Sequence, residues 1–244
     1  MDSKEADALG CEIAGMVKEG RADAGFYALS QHLSQRTPFR LLDRIGSRIG
    51  AGLLRETDAF LEKTARGKAM GAWPLIGSAL AAQLALDFEG ALERCRAFII
   101  LGDVWYAADT LAERVPGAAL VADFGRALAI LEGWQMDPNR WVRKSAGVAV
   151  HLWAKRSRGE PRHLPKARKL LAFLAPMFAE QDLDAAKGIG WALKTLGRQY
   201  PQAVEPWLVR QVTGKLEFRA LILRKATTFL SPAARNRVYL AAHR

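Results

Sequence analysis

Prolines and glycines cut this chain into segments of about ten to twenty residues, and nearly every segment between them repeats its apolar residues with helical period. No stretch alternates apolar and polar residues as a half-buried strand does, so the fold class is predicted to be all-α. The set Leu9, Ile13, Met16 and Val17 makes one helical face ended by Gly20, and Phe26, Leu29 and Leu33 make a second that stops at Thr37-Pro38. A third helix runs through Leu41, Leu42, Ile45, Ile49 and Leu53, with Gly46 and Gly50 a turn apart. That spacing suits close approach of a neighbouring helix and not a phosphate loop, because no strand precedes it. Thr57 and Asp58 are expected to cap a short helix to Arg66. Pro74 opens one that is apolar nearly all round to Leu86, and Asp87 caps another through Leu92, Cys95 and Phe98. Pro116-Gly117 breaks the chain, and helices are predicted at 118–133, 138–156, 164–180, 183–199, 201–213, 216–229 and 232–243.

The helices pair with a loose period. In RKSAGVAVHL, AKGIGWALKTL and RKATTFL a lysine opens each apolar run, and these lysines, Lys144, Lys187 and Lys225, are separated by 43 and 38 residues. Helix pairs of about 40 residues have HEAT and armadillo spacing, in which each unit buries its face only against its neighbours. The whole of 1–244 then reads as one repeat domain, with N-terminal repeats to about 116 and basic ones from about 117. Residues 1–138 hold 15 Lys+Arg against 19 Asp+Glu, a net −4, whereas residues 139–244 hold 21 against 6, a net +15. A lysine at one helical position in successive repeats of so basic a half predicts a cationic track for a phosphate backbone.

Other classes find little support. The longest apolar stretch, Ala72 to Leu86, is interrupted by Pro74, Gly77, Ser78 and Gln83 and is shorter than the roughly 20 residues a membrane span needs. The acidic start MDSKEADALG resembles no signal or transit peptide, so a cytoplasmic protein is expected. Cys11 and Cys95 form no Cys-x-x-Cys pair and are expected to be buried free thiols. His32, His151, His163 and His243 have no metal-ligand spacing, so no metal site is expected.

One stretch carries chemistry. GDVWYAADTLAER, from Gly102 to Arg114, sets Trp105 and Asp109 four residues apart, hence on one face of a helix and able to touch the same bound group. Alone, such a pair also suits a core anchor beside a solvated acid. The order of this helix, then Asn139-Arg140-Trp141-Val142-Arg143-Lys144-Ser145-Ala146, then Ile189-Gly190-Trp191-Ala192-Leu193 with Tyr200-Pro201, resembles the HEAT-like-repeat alkylpurine DNA glycosylases of the AlkD kind over about residues 100–210. The resemblance implies a right-handed superhelical solenoid of HEAT-like helical pairs. It implies a bacterial-type, nucleoid-associated enzyme that acts without metal or cofactor as a monomer on double-stranded DNA containing alkylated purines. It also implies that Trp105, Asp109 and Trp191 are catalytic, and that Arg143, Lys144, Lys194 and Tyr27 contact DNA, beside Lys187 on the expected cationic track. The aromatic-Leu-Gly element usual before Thr37-Pro38 is replaced by Leu33-Ser34-Gln35-Arg36, and Val104 stands where another tryptophan is common.

The chemistry suits these residue types. Cleaving an N-glycosidic bond builds an oxocarbenium-like sugar, and a carboxylate held beside it lowers that barrier. Indole faces add cation–π attraction of about 0.5 to 2 kcal/mol each. An alkylated purine already carries positive charge and leaves without a general acid. Two other readings share the repeat: a non-catalytic binder of damaged or branched DNA, and a HEAT-like scaffold for acidic proteins with both tryptophans in the core.

Overall fold

The structure, a computed structural model, describes residues 1–244 apart from Gln35, Leu53, Lys215, Leu216 and Arg244. The expected contribution of Leu53 to the third helix, and the start of the helix expected from 216, lie outside the described residues. No strand occurs among the described residues, and the contacts divide the chain into two compact units, Met1–Ala119 and Leu120–Arg244.

The first unit contains α1 (Ser3–Lys18), α2 (Ala22–Ser34), α3 (Phe39–Gly50), α4 (Leu54–Arg66), α5 (Ala72–Gln83), α6 (Phe88–Gly102) and α7 (Trp105–Arg114). Odd-numbered helices pack on one another in succession, α1 on α3, α3 on α5 and α5 on α7, while α2, α4 and α6 form a parallel row behind them. That two-row stacking is the helical-pair arrangement the spacing predicts. The glycines permit it: a Cβ on Gly46 would fall onto the carbonyl of Leu75, and one on Gly50 onto that of Ala79. As its all-round apolarity implies, α5 is the central helix, and Trp73, Leu75 and Ile76 are wholly buried with Phe60, Leu42 and Ile45.

The second unit contains α9 (Phe124–Glu132), α10 (Arg140–Ser157), α11 (Leu164–Leu174), α12 (Leu183–Gln199), α13 (Pro201–Thr213), α14 (Ala220–Ala226) and α15 (Pro232–Ala242), preceded by α8 (Pro116–Ala122) at the boundary. Here α10 packs on α12 and α12 on α14, with α11, α13 and α15 as the second row. At the α10–α12 crossing a Cβ on Gly147 would lie 2.5 Å from the carbonyl carbon of Gly188. Backbone meets backbone there. Phe178 and Tyr200 are the largest fully buried side chains in this unit. By sequence the unit carries 22 Lys+Arg against 9 Asp+Glu, a net +13.

Several expectations are corrected. Thr57 and Asp58 cap nothing, since α4 begins at Leu54; the Thr57 hydroxyl donates to the Ile49 carbonyl at 3.4 Å, and Asp58 pairs with Arg94 at 3.3 Å. The helix expected over 118–133 is two, divided at Asp123, whose carboxylate accepts from the Arg126 amide at 3.2 Å and starts α9. The helix expected over 164–180 closes at Leu174 and ends in a short 3-10 turn, Pro176–Ala179. Cys95 is buried, but Cys11 is exposed. No helix among the described residues is long and apolar enough to cross a membrane.

Candidate functional site

In the first unit the site is built at the start of α7. Helix α6 ends at Gly102, where a Cβ would lie 2.8 Å from that of Ala107 and 3.1 Å from the Trp73 ring. Asp103 follows in the left-handed region, φ 48°, so the chain reverses into α7 within two residues and Trp105 stands at its first helical position. Ala107, Ala108, Leu111 and Ala112 bury the opposite face. Their small side chains hold the α7 backbone against the core and leave Trp105 and Asp109 on the more open face. Trp105 is 57% exposed, so it is not a core anchor. Its ring meets Tyr106 edge to face, with centroids 5.7 Å apart. Asp109, one turn on, is half-buried, and its Oδ1 is screened from solvent.

A polar tie fixes the position of α7. Arg114 Nε and Nη2 donate to the two carboxylate oxygens of Asp43 at 2.6 and 3.0 Å, and the Ser78 hydroxyl donates to the same Asp43 at 2.7 Å. The Arg114 stem lies in the gap left by Gly77. Thus α3, α5 and α7 are bound together, and the arginine's charge is neutralised by Asp43. Tyr27 is 82% exposed on α2, in the other row of helices from α7.

In the second unit the expected lysines converge. The Lys225 ammonium is pushed below its ordinary pKa, first by burial and then by Lys194, Arg224, Lys187 and Lys144. Four neighbouring cations raise the potential at that point, and an anion placed there would relieve it. The glycines of α12 seat two of these stems: a Cβ on Gly188 would strike the Lys144 backbone and its Cγ, and one on Gly190 would lie 2.7 Å from Lys225 Cδ. Lys194 has its Nζ 5.3 Å from the Phe229 ring, with the Arg198 guanidinium at the same distance, and Phe229 is 46% exposed.

Two expected contacts are placed differently. Lys144 is buried, with its Nζ 5.5 Å from the Trp141 ring, because it sits where α10 approaches α12 most closely. Arg143 is engaged at every nitrogen. Its Nε and Nη2 donate to Glu180 at 2.6 and 3.3 Å, and its Nη1 donates to the carbonyls of Asp137 and Pro138 at 2.7 and 3.2 Å. The guanidinium holds the chain before α10 to the segment before α12. Lys187 is exposed and pairs with Asp184 at 2.8 Å.

Trp191 is half-buried on α12 and its ring is stacked on the imidazole of His151, centroids 4.3 Å apart and planes 21° apart. His151 and its partner Thr195, like Arg198 and Phe229, were not among the residues expected to bind. The repeat could have found the first: adding the 43-residue lysine offset to His151 gives Lys194, next to Thr195.

Taken separately, then, the first unit pairs an exposed indole with a shielded carboxylate, and the second gathers cations around a stacked indole. The first arrangement can stabilise a cationic centre, and the second can bind a phosphate backbone. No curated protein sequence matches the chain. Its structure is similar to the crystal structure of AlkD2 from Streptococcus mutans, with a TM-score of 0.67 at 17% identity, over 86% of this chain and 99% of that one. That likeness establishes the fold as all-α, built of HEAT-like helical pairs. The family model described as DNA alkylation repair enzyme matches residues 16–230, and the chain belongs to that family.

Proposed function

We propose that this protein is a DNA glycosylase that hydrolyses the N-glycosidic bond of N3- or N7-alkylated purines in duplex DNA. The observation that carries the reading is the pairing of Asp109, with one oxygen screened from solvent, and Trp105, more than half exposed, a turn apart on α7. As the bond from C1′ to the purine nitrogen stretches, its electron pair leaves with the base, which departs neutral because it began as a cation. Positive charge passes to the deoxyribose. The Asp109 carboxylate stabilises that charge, and more strongly where water is excluded than in bulk solvent. Trp105 presents its ring face to the cationic sugar, and Trp191 offers an aromatic face to the bound DNA. Water then adds at C1′, and its proton goes to the carboxylate or to solvent.

Lys194, Lys187 and Lys225 bind the phosphate backbone in this account, and Lys144 adds its charge from beneath them. Tyr27 contributes from the first unit as an exposed aromatic contact to the duplex. Trp105's exposure speaks against the protein-scaffold reading, in which it would lie in a core. The test is release of free 7-methylguanine or 3-methyladenine from methylated duplex DNA by the wild-type protein, resolved by chromatography. Release in proportion to enzyme supports the proposal. Binding that weakens with salt, without any base released, would leave a non-catalytic DNA-binding member of the family.

A further inference from the structure

Resting on the reading of Trp191 as a DNA-contacting indole, we propose that His151 is a positioning residue: it covers one face of Trp191 and sets the ring's plane, so that a ligand stacks on the opposite face only.

The geometry is specific. The two rings are near parallel, with centroids 4.3 Å apart, and His151 is only 8% exposed. Its Nδ1 lies 2.7 Å from Thr195 Oγ1, and that hydroxyl donates to the Trp191 carbonyl at 3.1 Å. A threonine hydroxyl has one proton. Both bonds are made at once when Nδ1 carries the imidazole hydrogen and donates it to Oγ1. The chain of bonds runs from the imidazole on α10 through Thr195 to the backbone of Trp191, both on α12. An apolar side chain could fill the same space, but it would have no bond to fix its rotation. His151 is held in plane by the helix that carries the indole it covers.

The protonation state matters to what the free face can do. Burial, and then the charges of Lys155 and Lys194, push the imidazole down to about 4, so it is neutral near pH 7. A neutral ring leaves the indole's π density available to a cation on the other side. An imidazolium in that place would draw on the same density and repel a cationic sugar or base.

The test uses the full-length protein with 5-fluorotryptophan at its seven tryptophans, the Trp191 resonance being identified by its loss in Trp191→Phe. The fluorine spectrum is followed in wild type, His151→Ala, Thr195→Val and His151→Phe, with and without duplex DNA. The expected result is a displaced or broadened Trp191 signal in His151→Ala and Thr195→Val, a DNA-induced shift weakened in both, and an intermediate signal in His151→Phe, whose ring covers the face without a bond to hold it. Single-turnover excision should fall about tenfold in His151→Ala, with DNA affinity kept within about twofold. An identical DNA-induced Trp191 shift in wild type and His151→Ala would overturn the inference, as would displacement of the signal without loss of that shift. The fluorine measurement needs no base release. If wild type binds DNA but excises nothing, the glycosylase reading fails while the positioning of Trp191 is still decided by the spectrum.

Discussion

Replacing Gly147 by alanine adds one methyl group at the crossing of α10 and α12, and the structure sets what that methyl meets. Its carbon would lie 2.5 Å from the carbonyl carbon of Gly188 and 2.7 Å from both the Gly188 oxygen and the Ile189 nitrogen. All three are backbone atoms, so no side chain can swing aside. Ordinary van der Waals contact for a Cβ begins near 3.4 Å, and the helices must therefore part by about 0.9 Å, a gap that forfeits a quarter to a half of each dispersion contact across the crossing. Overpacking of this kind costs about 1 to 3 kcal/mol, and alanine's better helix propensity returns at most about 1 kcal/mol. The expected net loss is about 1 kcal/mol, or roughly 2 to 4 °C in thermal midpoint for a chain of this size. Gly125→Ala is the control, because nothing lies within 4 Å of a Cβ there; its midpoint should match or slightly exceed that of wild type. Melting curves followed by circular dichroism decide the matter. A Gly147→Ala midpoint at or above that of wild type would refute the claim that backbone contact holds α10 to α12.

Lys194→Ala should weaken DNA binding alike on all sequences and lower the slope of log affinity against log salt by about 0.9, read from fluorescence anisotropy titrations. Arg143→Ala should leave that slope unchanged but cost about 3 kcal/mol of stability in urea melts, because it leaves the largely buried Glu180 without its fork. His151 makes stability depend on pH. Its pKa falls from 6.5 to about 4 on folding, so the unfolded chain takes up a proton that the folded one refuses, and stability is lost as pH drops through that window. Between about pH 7.5 and pH 5.5 this group alone should remove about 1 kcal/mol; His151→Phe should lose correspondingly less over the same range, measured by paired urea melts.

Much of the fold was legible because helical period and joint residues point the same way. Asp182 and Tyr200-Pro201 delimit α12 and α13 where the structure has them. The break at Asp123 was not legible, since the apolar period continues across it and only the carboxylate's bond to the Arg126 amide divides α8 from α9. Within the site, the Trp105–Asp109 face follows from helix geometry alone, and the lysine convergence follows from the repeat. Neither tells which cations are already satisfied. Arg143 and Lys194 look alike in a charge count, yet one is held by a glutamate 37 residues away and the other lies over an exposed ring. The burial of Lys144 was hidden for a related reason: it results from Gly188 on a different helix.

Single-turnover release of alkylated base by wild type and Asp109→Asn, measured beside their thermal midpoints and DNA affinities, tests the central claim most directly. Asparagine keeps the shape of the side chain and its capacity to accept a hydrogen bond but removes the charge that would stabilise the sugar cation. The account predicts a rate loss of about a hundredfold, equivalent to about 3 kcal/mol of transition-state stabilisation. DNA affinity should stay nearly unchanged, and stability should move by less than about 1 kcal/mol. Equal excision by the two proteins would contradict the account and show that the negative charge at Asp109 takes no part in breaking the bond.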